Sequence, residues 1–200
     1  EIRSELREDL GILVMSATLD AAPVAKLMGN APVITSSGKS YDVCPYYLSK
    51  PWKFNKTFKN DFIQAISGLI IKAFEENEGS ILAFLPGVRE IKQVQTFLKA
   101  KLANDLDIYP LYGAMSFDEQ QKAISPSCRR KLILATSIAE TSLTIKDIRI
   151  VIDSGLTRRS RFDPSSGMSR LITERVTKAE ATQRMGRAGR TNTGVCYKMW

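Results

Sequence analysis

The 200-residue chain carries 29 Lys+Arg against 21 Asp+Glu, a formal charge of +8, three cysteines and no histidine. Without imidazole there is no Ser-His-Asp or Cys-His nucleophilic site and no His-ligated zinc, so catalysis falls to carboxylates, arginines, hydroxyls and backbone amides. Ten Lys+Arg and only three acids lie in residues 156–200, a local balance of +7, which points to a phosphate or polyanion site in the last quarter.

In chain order, apolar runs predict strands over residues 11–16 and 32–35 with a helix over 20–28 between them, then a strand over 41–48. Residues 49–57 are polar, contain Pro51 and separate two α/β patterns, which marks a boundary. The expected division is therefore 1–50, the end of a domain with its linker, and 51–200, a whole second domain. Within the latter, helices are expected over 58–76, 88–102, 116–124 and 179–185, where apolar residues recur at i, i+3 and i+4. Strands are expected over 81–85, 108–111, 131–135, 148–152 and 194–199. Two β-like runs flank Asp163-Pro164-Ser165-Ser166-Gly167, so residues 156–173 read as a β-hairpin inserted into the rhythm. Continuous Ile/Leu/Val strands alternating with helices predict an α/β fold with a parallel sheet covered on both faces. Cys44, Cys128 and Cys196 stand singly without a C-x-x-C pair, which fits buried structural thiols in a reducing cytoplasm. No apolar run approaches the ~18 residues of a membrane span, and no secretory leader is expected.

The densest motif is Gln183-Arg184-Met185-Gly186-Arg187-Ala188-Gly189-Arg190. On a helix of ~3.6 residues per turn, positions i, i+4 and i+7 fall within roughly 60°, so Gln183, Arg187 and Arg190 share a face. Gly186 and Gly189 remove side chains and let a backbone or ligand come close. The planar, permanently charged arginine fork suits phosphoryl transfer because it bridges two phosphate oxygens. Gly38-Lys39-Ser40 imitates the end of a phosphate loop, but the full pattern needs glycine at position 33, which is Val33.

This motif resembles motif VI of superfamily 2 helicases of the DEAH type, and other blocks agree in order and spacing. Ser16-Ala17-Thr18 resembles motif III, Phe84-Leu85-Pro86-Gly87 motif IV, and the run from Ala135 to Ile145 motif V. The inserted hairpin falls where that family carries one. The Phe-Leu-Pro-Gly form, Pro110-Leu111-Tyr112-Gly113 and Arg161-Phe162-Asp163-Pro164 are most similar to the bacterial HrpB-type group. The resemblance spans essentially the whole chain. It implies a RecA-like fold of the P-loop NTPase type, covering the end of a first and the whole of a second RecA-like domain.

For function, the resemblance implies part of an ATP-dependent RNA helicase that couples hydrolysis to 3′-to-5′ translocation and unwinding. Gln183, Arg187 and Arg190 would meet the γ-phosphate and attacking water. Ser142, Thr144 and Gly186 would face the nucleotide, and Thr136, Ser137, Gly87, Arg89, Arg159 and Arg161 the RNA. Arg158 and Arg170 are further hairpin arginines turned toward nucleic acid. Ser16, Ala17 and Thr18 would couple ATP state to RNA grip. ATP and Mg²⁺ are expected mainly on a first RecA-like domain outside this chain, so no metal ligand is assigned here. The implied partners are RNA or another single-stranded nucleic acid and further domains of the same chain, with no membrane. Ser137 stands where the family usually has asparagine, and Lys146 where an acid is common, so Lys146 is given no contact. Two alternatives stay open: a non-catalytic RNA-binding module, which would bind RNA tightly and salt-dependently on its own, and a DNA rather than an RNA helicase.

Overall fold

The computed structural model describes residues 7, 9–15, 20–35, 41–49, 52, 59–102, 105–141, 143 and 145–200. The chain forms two compact units, Glu1–Gly38 and Lys39–Trp200. In the first, helix α1 spans Ala21–Leu27 and is capped by Asp20, whose Oδ1 accepts from the Ala22 N–H at 3.2 Å. Pro23 sits in the first turn, where its missing N–H removes no helical hydrogen bond. Gly29 and Asn30, at φ 74° and 59°, end the helix in the left-handed region.

Strands were expected on either side of this helix, and the described residues correct that expectation. Residues 11–15 and 32–35 are irregular, and Leu13, Met15 and Ile34 stand exposed. A strand exists only against a ladder partner, and none of the described residues pairs with these segments.

In the second unit the elements run β1 (Val43–Tyr47), α2 (Lys59–Glu76), β2 (Ser80–Phe84), α3 (Val88–Leu102), β3 (Asp107–Leu111) and α4 (Phe117–Ile124). They continue with β4 (Lys131–Ala135), α5 (Ile138–Thr141), β5 (Ile148–Asp153), β6 (Leu156–Asp163), β7 (Met168–Arg175), α6 (Lys178–Met185) and β8 (Gly194–Lys198). Six strands form one sheet in the order β1-β8-β5-β2-β4-β3, every ladder parallel, while β6 and β7 form a separate antiparallel hairpin. This is the RecA-like α/β architecture expected, with its inserted hairpin.

The order follows from composition. β2 and β4 are buried at every residue, as strands with helices on both faces must be. Pro45 and Pro110 lie in β1 and β3, the two edge strands, where a missing N–H costs no central ladder bond. Alternate strand residues feed two cores. Ile81, Ala83, Leu132, Leu134, Ile150 and Ile152 pack with Phe62, Ile66 and Ile91 of α2 and α3. Leu82, Phe84, Ile133, Ala135 and Val151 pack with Ala123, Ala139 and Ala188 on the opposite face.

The expected boundary at 49–57 differs from the observed division at Gly38/Lys39. Polar residues and a proline mark a loop, but they do not say whether the strand before it joins the next sheet. Here β1 pairs with β8 from Val43↔Gly194 to Tyr47↔Lys198, and the Trp52 N–H donates to the Met199 carbonyl at 3.1 Å. The thiols also divide: Cys196 is buried in the sheet, whereas Cys44 and Cys128 are exposed on an edge strand and in a loop. Burial pushes the Cys196 thiol up to about 12, which leaves it inert.

Gly189 lets β1 approach. A Cβ there would lie 2.4 Å from the Tyr41 carbonyl oxygen and 2.8 Å from Val43 Cγ2, and the Tyr41 N–H donates to the Gly189 carbonyl at 2.9 Å. Gly189→Ala is therefore expected to cost about 1–3 kcal/mol by forcing backbone apart. A thermal melt unchanged from wild type would contradict this.

Candidate functional site

Because all six strands are parallel, the loops after them open on one side. β5, β2 and β4 are consecutive neighbours, with Asp153 beside Phe84 and Phe84 beside Ala135. Three groups of expected RNA-facing residues thus converge there: Thr136 and Ser137 after β4, Gly87 and Arg89 after β2, and the hairpin after β5. The crevice beyond the carboxyl ends of a parallel sheet is where α/β folds bind ligands. The Thr136 N–H donates to the Leu111 carbonyl at 3.1 Å, and the Glu140 N–H to the Ser137 carbonyl at 2.9 Å. Thr136 is half-buried, Ser137 and Arg89 are exposed, and Gly87 is buried. Gly87 lies beneath a hairpin arginine, since a Cβ there would fall 2.4 Å from Arg158 Nη1.

Helix α6 starts with a capping box. The Thr177 hydroxyl accepts from the Glu180 N–H, and the Glu180 carboxylate accepts from the Thr177 N–H at 2.7 Å. The helix stops at Met185 with Gly186 as its C-cap, so Gln183, Arg187 and Arg190 do not share one continuous helical face. Gln183 is half-buried on the helix, Gly186 and Arg190 are exposed, and Arg187 turns inward to 4% exposure. Arg187 Nη1 donates to the Leu143 carbonyl at 2.5 Å and Nη2 to the Glu140 carbonyl. Burial, helped by Arg190 and opposed by Glu140, brings the Arg187 guanidinium down to about 10, so it remains charged at neutral pH.

Arg184 is the residue that sequence reasoning missed. It is fully buried on α6 and paired with Glu140 and Asp153, each contact 2.7–2.8 Å long. The available signal was its position three residues after buried Ala181, on the inward stripe of the helix. An arginine in such a stripe requires buried acids elsewhere.

Four of the five hairpin arginines carry their charge in paired form. Arg158 meets Glu90 of α3 at 2.8 Å, and Arg159 meets Glu180 at 2.5 Å and Glu174 at 3.2 Å. Arg161 meets Glu174 at 3.0 Å and Arg170 meets Asp163 at 3.8 Å. Arg159 and Glu180 thereby tie the hairpin to the start of α6. Phe162, Met168 and Leu171 are exposed near its tip. The turn is held by Asp163 Oδ1, which accepts from the Ser165 N–H at 3.1 Å, and by Gly167 at φ 65°.

Ser16, Ala17, Thr18, Ser142 and Thr144 lie outside the described residues, as do Gly38, Lys39 and Ser40. Among the described residues no three His, Cys, Asp or Glu side chains form a metal-holding group. The buried acids nearest the arginines, Glu140 and Asp153, are ion-paired with Arg184. Among the described residues no helix is long and apolar enough to cross a membrane.

Residues 61–192 match the helicase conserved C-terminal domain family. The chain is 44% identical over 197 residues to the ATP-dependent RNA helicase HrpB of Escherichia coli K12, covering 98% of this chain and 24% of that protein. It is 37% identical over 203 residues to the pre-mRNA-splicing factor ATP-dependent RNA helicase prp22 of Schizosaccharomyces pombe, covering 97% of this chain and 17% of that one. The crystal structure of the Escherichia coli DEAH/RHA helicase HrpB superposes with a TM-score of 0.86, at 44% identity, over 98% of this chain and 25% of that one. The chain spans about a quarter or less of the length of these relatives.

Proposed function

Because the chain belongs to the helicase conserved C-terminal domain family, within the DEAH/RHA helicases, we propose that it is the catalytic partner domain of an ATP-dependent RNA helicase. Residues 51–200, with the β1 edge strand, form the second RecA-like domain, and the first unit is the end of the first. ATP and Mg²⁺ bind mainly on that first domain. This domain closes over them and supplies Gln183, Arg187 and Arg190 to the γ-phosphate and attacking water, with Ser142, Thr144 and Gly186 facing the nucleotide. RNA runs past Thr136, Ser137, Gly87, Arg89 and the hairpin, while Ser16, Ala17 and Thr18 couple the two events. RNA is the substrate on this reading, the protein works in the cytoplasm, and movement along the strand is 3′-to-5′.

The observation that carries this reading is the pair of hydrogen bonds from Arg187 to the Glu140 and Leu143 carbonyls. They tie the arginine to the segment after β4, whose Thr136 and Ser137 this reading assigns to RNA. A shift of that segment on RNA binding therefore moves the residue poised for phosphate, and the reverse holds equally. Arginine suits the task because its planar fork donates to two oxygens of a charged phosphoryl group at once.

The test compares the 200-residue chain with the full-length protein. RNA-stimulated ATP hydrolysis is expected from the full-length protein alone, because the chain has no phosphate loop pattern. Hydrolysis by the purified chain would overturn the assignment. The same samples test an autonomous RNA-binding module, which tight, salt-dependent RNA binding by the chain alone would favour. Weak RNA binding by the chain and tight, salt-dependent binding by the full-length protein are expected.

A further inference from the structure

Glu140 is held by two arginines in two different ways. Its Oε1 lies 2.8 Å from Arg184 Nε and 2.7 Å from Arg184 Nη2, whereas its main-chain carbonyl accepts from Arg187. Arg184 also donates through Nη1 to Asp153 Oδ1 at 2.8 Å and to the Leu156 carbonyl at 3.2 Å, and its guanidinium carbon stands 4.9 Å from the centre of the Phe84 ring. Fully buried, Arg184 has no path to a ligand. The four charged groups, Arg184, Arg187, Glu140 and Asp153, are all buried and balance two against two.

This balance matters because carboxylates and carbonyls compete unequally for a guanidinium. A charge-assisted bond is about twice as strong as a neutral one, and the low dielectric of the interior widens the difference. Were the Glu140 carboxylate unclaimed, it would capture Arg187 as a buried ion pair, which a nucleotide would then have to break. Arg187 resting on carbonyls exchanges neutral acceptors for charged phosphate oxygens, a trade that favours release.

We propose that Arg184 is a positioning residue that occupies the Glu140 carboxylate, so that Arg187 rests on neutral carbonyls from which a nucleotide phosphate can draw it. This rests on the reading of Arg187 as a phosphate-facing arginine.

The test uses the full-length protein, with RNA-stimulated ATPase kinetics and melting temperature measured for wild type, Arg187→Ala, Arg184→Lys, Glu140→Gln and the double variant Arg184→Lys/Glu140→Gln. Lysine keeps a positive charge beside Asp153 but lacks the fork that spans both carboxylates. In Arg184→Lys, kcat is expected to fall at least about tenfold while KM for ATP stays within about threefold. Glu140→Gln removes the carboxylate that captures Arg187, so the double variant is expected to return to within about threefold of the kcat of Glu140→Gln alone. Wild-type turnover in Arg184→Lys, or a double variant no faster than Arg184→Lys, overturns the inference. So does a loss of folding in Arg184→Lys that Glu140→Gln fails to repair, since Arg184 would then serve folding alone. An inactive wild type overturns the helicase reading instead, and a fully active Arg187→Ala removes Arg187 from the phosphate site on which this inference rests.

Discussion

Replacing Arg187 or Arg190 with alanine in the full-length protein is expected to lower kcat by at least about 10³, the lower end of what an arginine finger contributes to phosphoryl transfer. The loss falls on kcat because the charge the arginine meets develops fully only as the γ-phosphoryl group transfers. RNA affinity is expected to persist, because the residues proposed to face RNA lie after β2, β4 and β5 and not on the turn that follows α6. Single-turnover ATP hydrolysis beside RNA binding at one fixed salt concentration separates the two effects. The two arginines differ in their starting positions. Arg187 is 4% exposed and bonded to carbonyls, so truncating it also removes partners from Glu140 and Leu143, and a modest fall in melting temperature is expected. Arg190 is exposed, so truncating it opens no buried cavity. Turnover within a few-fold of wild type in either variant would remove that residue from the phosphate site.

The fold was legible wherever burial on both sides of the sheet leaves an unbroken apolar run. Residues 131–135 and 88–102 are expected and observed with identical bounds as β4 and α3, the first buried at every residue and the second carrying Ile91, Val94 and Leu98 inward at helical spacing. The same logic failed at 11–15 and 32–35, since an apolar run states a readiness to pair but not whether a neighbour is present. At the site, residue types were legible and their partners were not. Arg184 bonds Glu140 and Asp153 across separations of 44 and 31 residues, and Arg158 reaches Glu90 across 68. A count of +7 over the last quarter could not foresee that the hairpin arginines meet carboxylates, two of them outside the hairpin. The helical-arc argument for Gln183, Arg187 and Arg190 assumed a helix that continues past Gly186. Two glycines three residues apart end it and turn Arg187 onto the loop at Glu140 and Leu143.

Arg184→Ala is expected to cost about 3–5 kcal/mol, the range for removing one partner from a buried ion pair, against a total of about 5–15 kcal/mol for a domain. The cost arises because Glu140 and Asp153 stay buried while their shared cation is gone. Its pH dependence follows from Glu140, whose carboxyl burial pushes above the ordinary carboxylate range, with Arg184 opposing the rise and Glu180 and Asp153 adding to it. A raised folded value means that the folded state holds the proton more tightly than the unfolded chain. Its contribution to stability is therefore full below the unfolded value and is lost as pH rises through the folded one. Without Arg184 the opposing influence disappears and the folded value climbs further, so the variant loses most at neutral pH. Urea unfolding at pH 7 and again at mildly acidic pH is expected to show the gap between wild type and Arg184→Ala narrowing on acidification, as Glu140 takes up a proton and ceases to be an uncompensated charge. A gap that stayed constant or widened would mean that Arg184 stabilises the domain through its packing on Phe84 and its bond to the Leu156 carbonyl, with the Glu140 charge playing no part.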